Sequence, residues 1–199
     1  WSHGDKEVFS IEELIEAFNW EATGRGDGKF DAKKFLAIQH EHLKTPRLTP
    51  DDLYVERVAP FLEARGLKFD RAVVKKCLPM IRERATTLAD AADRLDFVFR
   101  DPPQMDEKAA AKFLVAANAP HLRALADVVE KVEPFDAATL DATVHAWLTE
   151  KQLNIKDVAQ PARVALTGRT ATPGLFEVIE AIGKTRALAR LRGAADAAK

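Results

Sequence analysis

The start and stop signals in this chain punctuate helices almost throughout, and no segment alternates apolar and polar residues convincingly over the length of a strand. Ser10-Ile11-Glu12-Glu13 is a capping box, and Ile11, Leu14, Ile15 and Phe18 then recur at helical spacing. Gly24, Gly26 and Gly28 form a connection, after which Asp31 caps a helix reaching about Lys44. Thr49-Pro50-Asp51-Asp52 opens another, with Gly66 as its stop, and Asp70 opens one bearing Val73, Val74, Cys77, Leu78 and Ile81. A further helix runs from about Thr87 to Phe99, with Phe97-Val98-Phe99 as its end, and Pro102-Pro103 breaks the chain. Helices follow near 106–117, 120–132, 136–151, 155–167, 173–182 and 184–192. The expected fold is all-α, a set of multi-helix bundle subdomains divided at 1–48, 49–101 and 102–199.

The 199 residues suffice for a sizeable core, and 47% hydrophobic with 31% charged residues is ordinary for a globular chain. The single cysteine, Cys77, excludes an internal disulfide, sits on an apolar helix face and fits a reducing compartment. No apolar run approaches a membrane span and no leader is visible, so a cytoplasmic protein is expected; the start at Trp1 suggests a piece of a longer one. A net charge of −1 hides an asymmetry. From Ala159 to Lys199 there are seven Lys/Arg against three Asp/Glu, +4, which leaves −5 on the rest. A basic end on an acidic body fits a polyanion footprint at that end.

The string Gln160–Gly168 followed by Thr172-Pro173-Gly174-Leu175-Phe176 reads as a helix closed by glycine, a tight loop, and a helix with Thr172 as N-cap and Pro173 at its first position. Free amides at that start, beside the fixed cation Arg163, make a place for an anion or a base edge. This string resembles the C-terminal signature of bacterial glutamyl-tRNA synthetases, "PLRVALTG…SPGLFE" followed by "GK…L.RL". The resemblance implies that Arg163, Thr172, Pro173 and Leu175 line an anticodon pocket. Against it stand an arginine that simply pairs with a helix end and a Leu175 that belongs to the core. Ala162 departs from the usual leucine.

Ile81–Leu88 is similar to the same family's "R…R…TL" run. By that resemblance Arg84 reads the last anticodon base and favours glutamate specificity; the plain reading of Arg82 and Arg84 is solvated charge at a helix end. Arg82 and, in the basic C-terminal stretch, Arg190 are candidates for the tRNA backbone. Phe30–Phe35 looks like the "FD..KL" element of the stem-contacting subdomain, which makes Lys34 a phosphate candidate, although Gln39 and His42 depart from the usual residues there. Trp1–Glu7 looks like the segment just after the family's catalytic core.

Other motifs carry less. Gly183-Lys184-Thr185 lacks the upstream glycine of a phosphate loop, with Val178 in its place. His40 and His42 face different ways on a helix, and His3, His121 and His145 have no partners at metal-site spacing, so neither a metal nor a catalytic group is expected. The resemblance as a whole implies the tRNA anticodon-recognition part of a glutamate–tRNA ligase. It would bind tRNA(Glu) as a monomer, with no cofactor of its own; ATP, magnesium and the catalytic HIGH and KMSKS elements belong to an upstream domain. The competing reading is an all-α protein-interaction scaffold without an RNA ligand.

Overall fold

The computed structural model describes residues 1, 3–26, 28–101 and 103–198. Among them eleven α-helices and one 3-10 turn form the regular structure, and the only extended pairing is an isolated bridge between His3 and Lys6. In order the helices are α1 (Ile11–Ala17), α2 (Ala32–Lys44), α3 (Asp51–Glu63), α4 (Arg71–Ile81), α5 (Leu88–Phe99), α6 (Glu107–Phe113), α7 (Ala119–Glu130), α8 (Ala137–Glu150), α9 (Ile155–Thr167), α10 (Leu175–Ile182) and α11 (Lys184–Ala197). The fold is all-α.

Local capping chemistry sets most of the starts. Ser10 and Glu13 close the capping box of α1 reciprocally. Asp31, Asp70 and Thr87 accept backbone N–H bonds at the starts of α2, α4 and α5, which ties donors that have no partner inside the helix. Asp106, Asp136 and Asn154 do the same for α6, α8 and α9. Two ends differ from the sequence reading. Helix α6 stops at Phe113 rather than near 117, because Leu114 leaves the helical region and Asn118 Nδ2 donates to the freed Phe113 carbonyl across a 3-10 turn. Helix α11 runs past Gly193 to Ala197, since Ala195 is buried and rewards continuation.

Burial divides the chain unevenly. Helix α1 buries none of its residues and α2 only Leu43. From α3 onward one apolar core runs without interruption: Tyr54, Val58 and Leu62 of α3 meet Leu78 and Ile81 of α4 and Leu95 of α5. It continues through Leu122, Leu125, Leu140, Leu166, Ile179 and Leu191 in α7–α11. Pro102, half of the expected break, lies outside the described residues, and Pro103 is buried. Helix α10 packs on both α4 and α5, and α9 also reaches α5. The loop that joins α9 to α10 is thereby laid across the ends of α4 and α5.

Candidate nucleic-acid interface

The loop between α9 and α10 begins at a constrained point. Gly168 closes α9 in the left-handed region (φ 76°), and a Cβ there would sit 2.0 Å from the Gln104 carbonyl oxygen. The Asp106 amide donates to Gly168 O at 2.9 Å, so the connection before α6 is tied to the end of α9. Thr167 Oγ1 donates to the Arg163 carbonyl (2.8 Å) and accepts from the Arg169 amide (3.2 Å), which fixes the direction in which the loop leaves.

Two arginines from separate parts of the chain converge on this loop. Arg163, half-buried on the last turns of α9, donates from one guanidinium nitrogen to Thr172 Oγ1 and to the Pro173 carbonyl. Arg84, exposed just beyond α4, donates to the Thr172 carbonyl at 3.0 Å. Burial moves the Arg163 guanidinium below its ordinary range; the Glu177 carboxylate opposes that shift and the neighbouring Arg84 charge reinforces it. Arg84, Arg163, Thr172 and Pro173 therefore form one constellation.

Thr172 does not cap the next helix. Helix α10 starts at Leu175 with Gly174 as its N-cap and no side-chain cap bond, while the Thr172 hydroxyl, two residues before the cap, accepts from Arg163 and donates to the Pro173 carbonyl. The start is not bare either: the Glu177 carboxylate folds back over it, and a Cβ on Gly174 would lie 1.8 Å from Glu177 Oε2. A carboxylate in the first turn complements the dipole of its own helix. The anion place expected at this terminus thus has an internal occupant, and Leu175 points into the core instead of lining the site.

Between the loop and helices α4 and α5 lies a cavity of about 240 Å³, bordered by Met80, Arg84, Asp90, Arg94, Phe97, Arg169 and Pro173 among others. Its carboxylates are already paired. Arg94 approaches Asp90 at 3.0 Å, and Arg65 donates twice to Asp93 Oδ1, at 2.9 and 2.8 Å. Behind this wall Tyr54 is fully buried, its hydroxyl has no hydrogen-bond partner, and burial pushes it up to about 12. Arg169, which the sequence reading counted only as one cation among seven, donates to the Asp93 carbonyl at 3.1 Å. Its place directly after the loop's opening glycine was the available signal.

Two other candidate arginines belong to the framework. Arg82 is 7% exposed; it donates to the carbonyls of Leu43 (2.7 Å) and Thr49 (3.0 Å), pairs with Asp51 (2.6 Å) and lies over the Tyr54 ring. Arg190, equally buried, donates to Phe97 O (2.9 Å), Leu166 O (2.6 Å) and Arg100 O (2.5 Å) and approaches Asp101 (3.3 Å). Neither faces a phosphate, because donors closed on internal carbonyls leave no cation at the surface. Burial moves the Arg190 guanidinium below its ordinary range, against Asp101. The rest of the basic C-terminal stretch is tied less completely: Lys184 donates to Val132 O and pairs with Glu133, Arg186 donates to Val98 O through one nitrogen, and the part-exposed Arg192 pairs with Asp127 and Glu130. Lys199 lies outside the described residues. Lys34 is exposed on α2 and pairs with Glu7.

Among the described residues no group of three or more His, Cys, Asp or Glu is placed to hold a metal ion, and no helix is long and apolar enough to cross a membrane.

The structure is thus an all-helical body that presents one loop fastened by two arginines. Residues 53–195 match the family described as "Anticodon binding domain", and the chain belongs to that family. It is 37% identical over 195 residues to the glutamate–tRNA ligase of Geobacter sulfurreducens, an alignment covering 98% of this chain and 41% of that one. To glutamate–tRNA ligase 1 of Syntrophus aciditrophicus it is 34% identical over 197 residues, covering 96% and 40%. The chain therefore spans about two fifths of the length of these relatives. A crystal structure of a glutamate tRNA ligase from Elizabethkingia meningosepticum, in complex with its amino acid, shares the fold with a TM-score of 0.83 at 24% identity, over 98% of this chain and 38% of that one.

Proposed function

We propose that this chain is the anticodon-recognition part of a glutamate–tRNA ligase and positions tRNA(Glu) for aminoacylation by a catalytic region outside it. The observation that carries the reading is the convergence of Arg84 and Arg163 on Thr172-Pro173 beside an open cavity. In this reading Arg84, the more exposed of the two, reads a splayed anticodon base. A guanidinium held by one nitrogen keeps donors for a base edge or a phosphate. Arg163 holds the loop in shape and supplies positive potential, Pro173 gives an apolar surface against a base, and Leu175 supports the loop from the core. Lys34 contacts the tRNA backbone by releasing Glu7, while Arg82 and Arg190 serve the framework only.

The wider reading follows the relatives. ATP and magnesium act in the catalytic region of the longer protein, which works in the cytoplasm, and the module acts as a monomer. The division at 48 and 101 belongs to this reading, with the second and third parts sharing one core.

The test is binding of the chain to a glutamate-tRNA anticodon stem-loop at two salt concentrations. Salt-sensitive binding is expected, with loss in Arg163→Ala and, in Arg84→Gln, loss of discrimination against the glutamine anticodon. Absence of binding to both the stem-loop and whole tRNA would favour the interaction-scaffold reading.

A further inference from the structure

We infer that Arg169 is a positioning residue of this site: it straps the α9–α10 loop to α5 and thereby presents Arg84 to the RNA. The inference deepens the proposed function and rests on it for its RNA readout.

The geometry is reciprocal. Arg84, on the helical side, donates to the main chain of the loop at Thr172. Arg169, on the loop, donates to the main chain of α5 at Asp93. Donors and acceptors of both bonds belong to residues that line the same cavity of about 240 Å³. A helical carbonyl keeps a second lone pair after its intrahelical bond, so Asp93 O accepts Arg169 without disturbing α5. The Asp93 carboxylate is taken by Arg65 and that of Asp90 by Arg94 and the Thr86 amide, so neither draws Arg169 away.

The base of the loop is already immobilised at Gly168, where the Gln104 carbonyl leaves no room for a Cβ. Its far end is tied by Arg163 to α9, through Thr172 Oγ1 and the Pro173 carbonyl, and not to α5. Between them Arg169 makes the one side-chain bond from this loop to α5 that is seen among the described residues. If that bond is absent, the segment swings from α5, and the Thr172 carbonyl that orients Arg84 moves with it. Arg169 thus acts through Arg84. It need not touch the RNA.

The experiment compares wild type, Arg169→Ala, Arg169→Lys, Arg84→Gln and the Arg169→Ala/Arg84→Gln double variant in two assays. The first is backbone 15N relaxation of the RNA-free protein. Arg169→Ala is expected to lower the order parameters of residues 170–172 from about 0.85 to below about 0.6, with those of α7 and α8 unchanged. Unchanged order parameters at 170–172 would overturn the inference, whether or not any RNA binds. The second is binding to glutamate and glutamine anticodon stem-loops. The expected result is that Arg169→Ala lowers the glutamate-over-glutamine ratio and that adding Arg84→Gln then costs little more, with partial rescue by lysine. A salt slope reduced by about one phosphate contact with an intact ratio would instead make Arg169 a backbone contact and refute the positioning role. Wild type that binds neither stem-loop would defeat the proposed function and leave the relaxation measurement to decide the strap.

Discussion

Helices α1 and α10 are nearly the same length and illustrate opposite ways of being a helix. Helix α1 has a complete capping box and buries nothing, leaving Ile15 74% exposed. Helix α10 has no side-chain cap bond and buries Leu175, Val178, Ile179 and Ile182. The contrast extends to their surroundings. Trp20 (77% exposed) and Phe30 (75%) follow α1 in a segment with no core of its own among the described residues, whereas α10 is wedged among α4, α5, α8, α9 and α11. Capping settles where a helix begins, while burial settles how firmly it is held, since a short helix is marginal in water without packing.

The contrast can be broken from the packed side first. Arg190→Ala removes one guanidinium from three carbonyls that stay buried, and a loss of about 3–4 kcal/mol in urea unfolding is expected. A loss under 1 kcal/mol would mean that α11 is not held through this clamp.

A smaller effect follows from Tyr54. Its hydroxyl ionises near 10 when unfolded and near 12 when folded, so the folded state holds its proton longer. The associated stability is complete below pH 10 and declines as pH rises to about 12, by about 2–3 kcal/mol in all. Cys77, pushed up to about 11, adds an earlier component that begins near pH 9. Tyr54→Phe should abolish the Tyr54 part of the alkaline loss and be neutral or slightly stabilising at pH 7, because the hydroxyl it removes has no partner. Chemical unfolding as a function of pH, in both proteins, measures this.

The smallest change is expected in α1. Ser10→Ala weakens that cap by about 1 kcal/mol, so hydrogen exchange in α1 accelerates while the global unfolding midpoint stays fixed. A shifted midpoint would show that α1 is coupled to the core after all.

The same contrast explains what the sequence could reveal. Ser10, Asp31, Asp70 and Thr87 marked helix starts correctly because a cap bond spans only two or three residues, so its determinants are adjacent in the sequence. Thr172-Pro173 carries the same local signal, yet the helix starts at Leu175, and the Thr172 hydroxyl is used by Arg163, nine residues away, rather than by a helix amide. Arg84 and Arg163 were legible as site candidates through the motifs that contain them, but the contact of Arg84 with the loop at Thr172, 88 residues away, was not. The fate of Arg82 and Arg190 was not either, because an arginine facing inward toward carbonyls has the same letter as one facing water. Only the arrival of Leu43, Thr49, Phe97 and Leu166 around them makes the distinction.

Most of the arginine locks in this molecule close on main-chain oxygen: Arg84 on Thr172, Arg163 on Pro173, Arg169 on Asp93, Arg186 on Val98 and Arg190 on Phe97, Leu166 and Arg100. A carbonyl is present whatever residue carries it. Each of these carbonyl contacts therefore has only one heritable half, the arginine codon, and the acceptor positions can drift without breaking it. Pairwise covariation between homologues would miss these contacts even where they bear most on the shape of the loop.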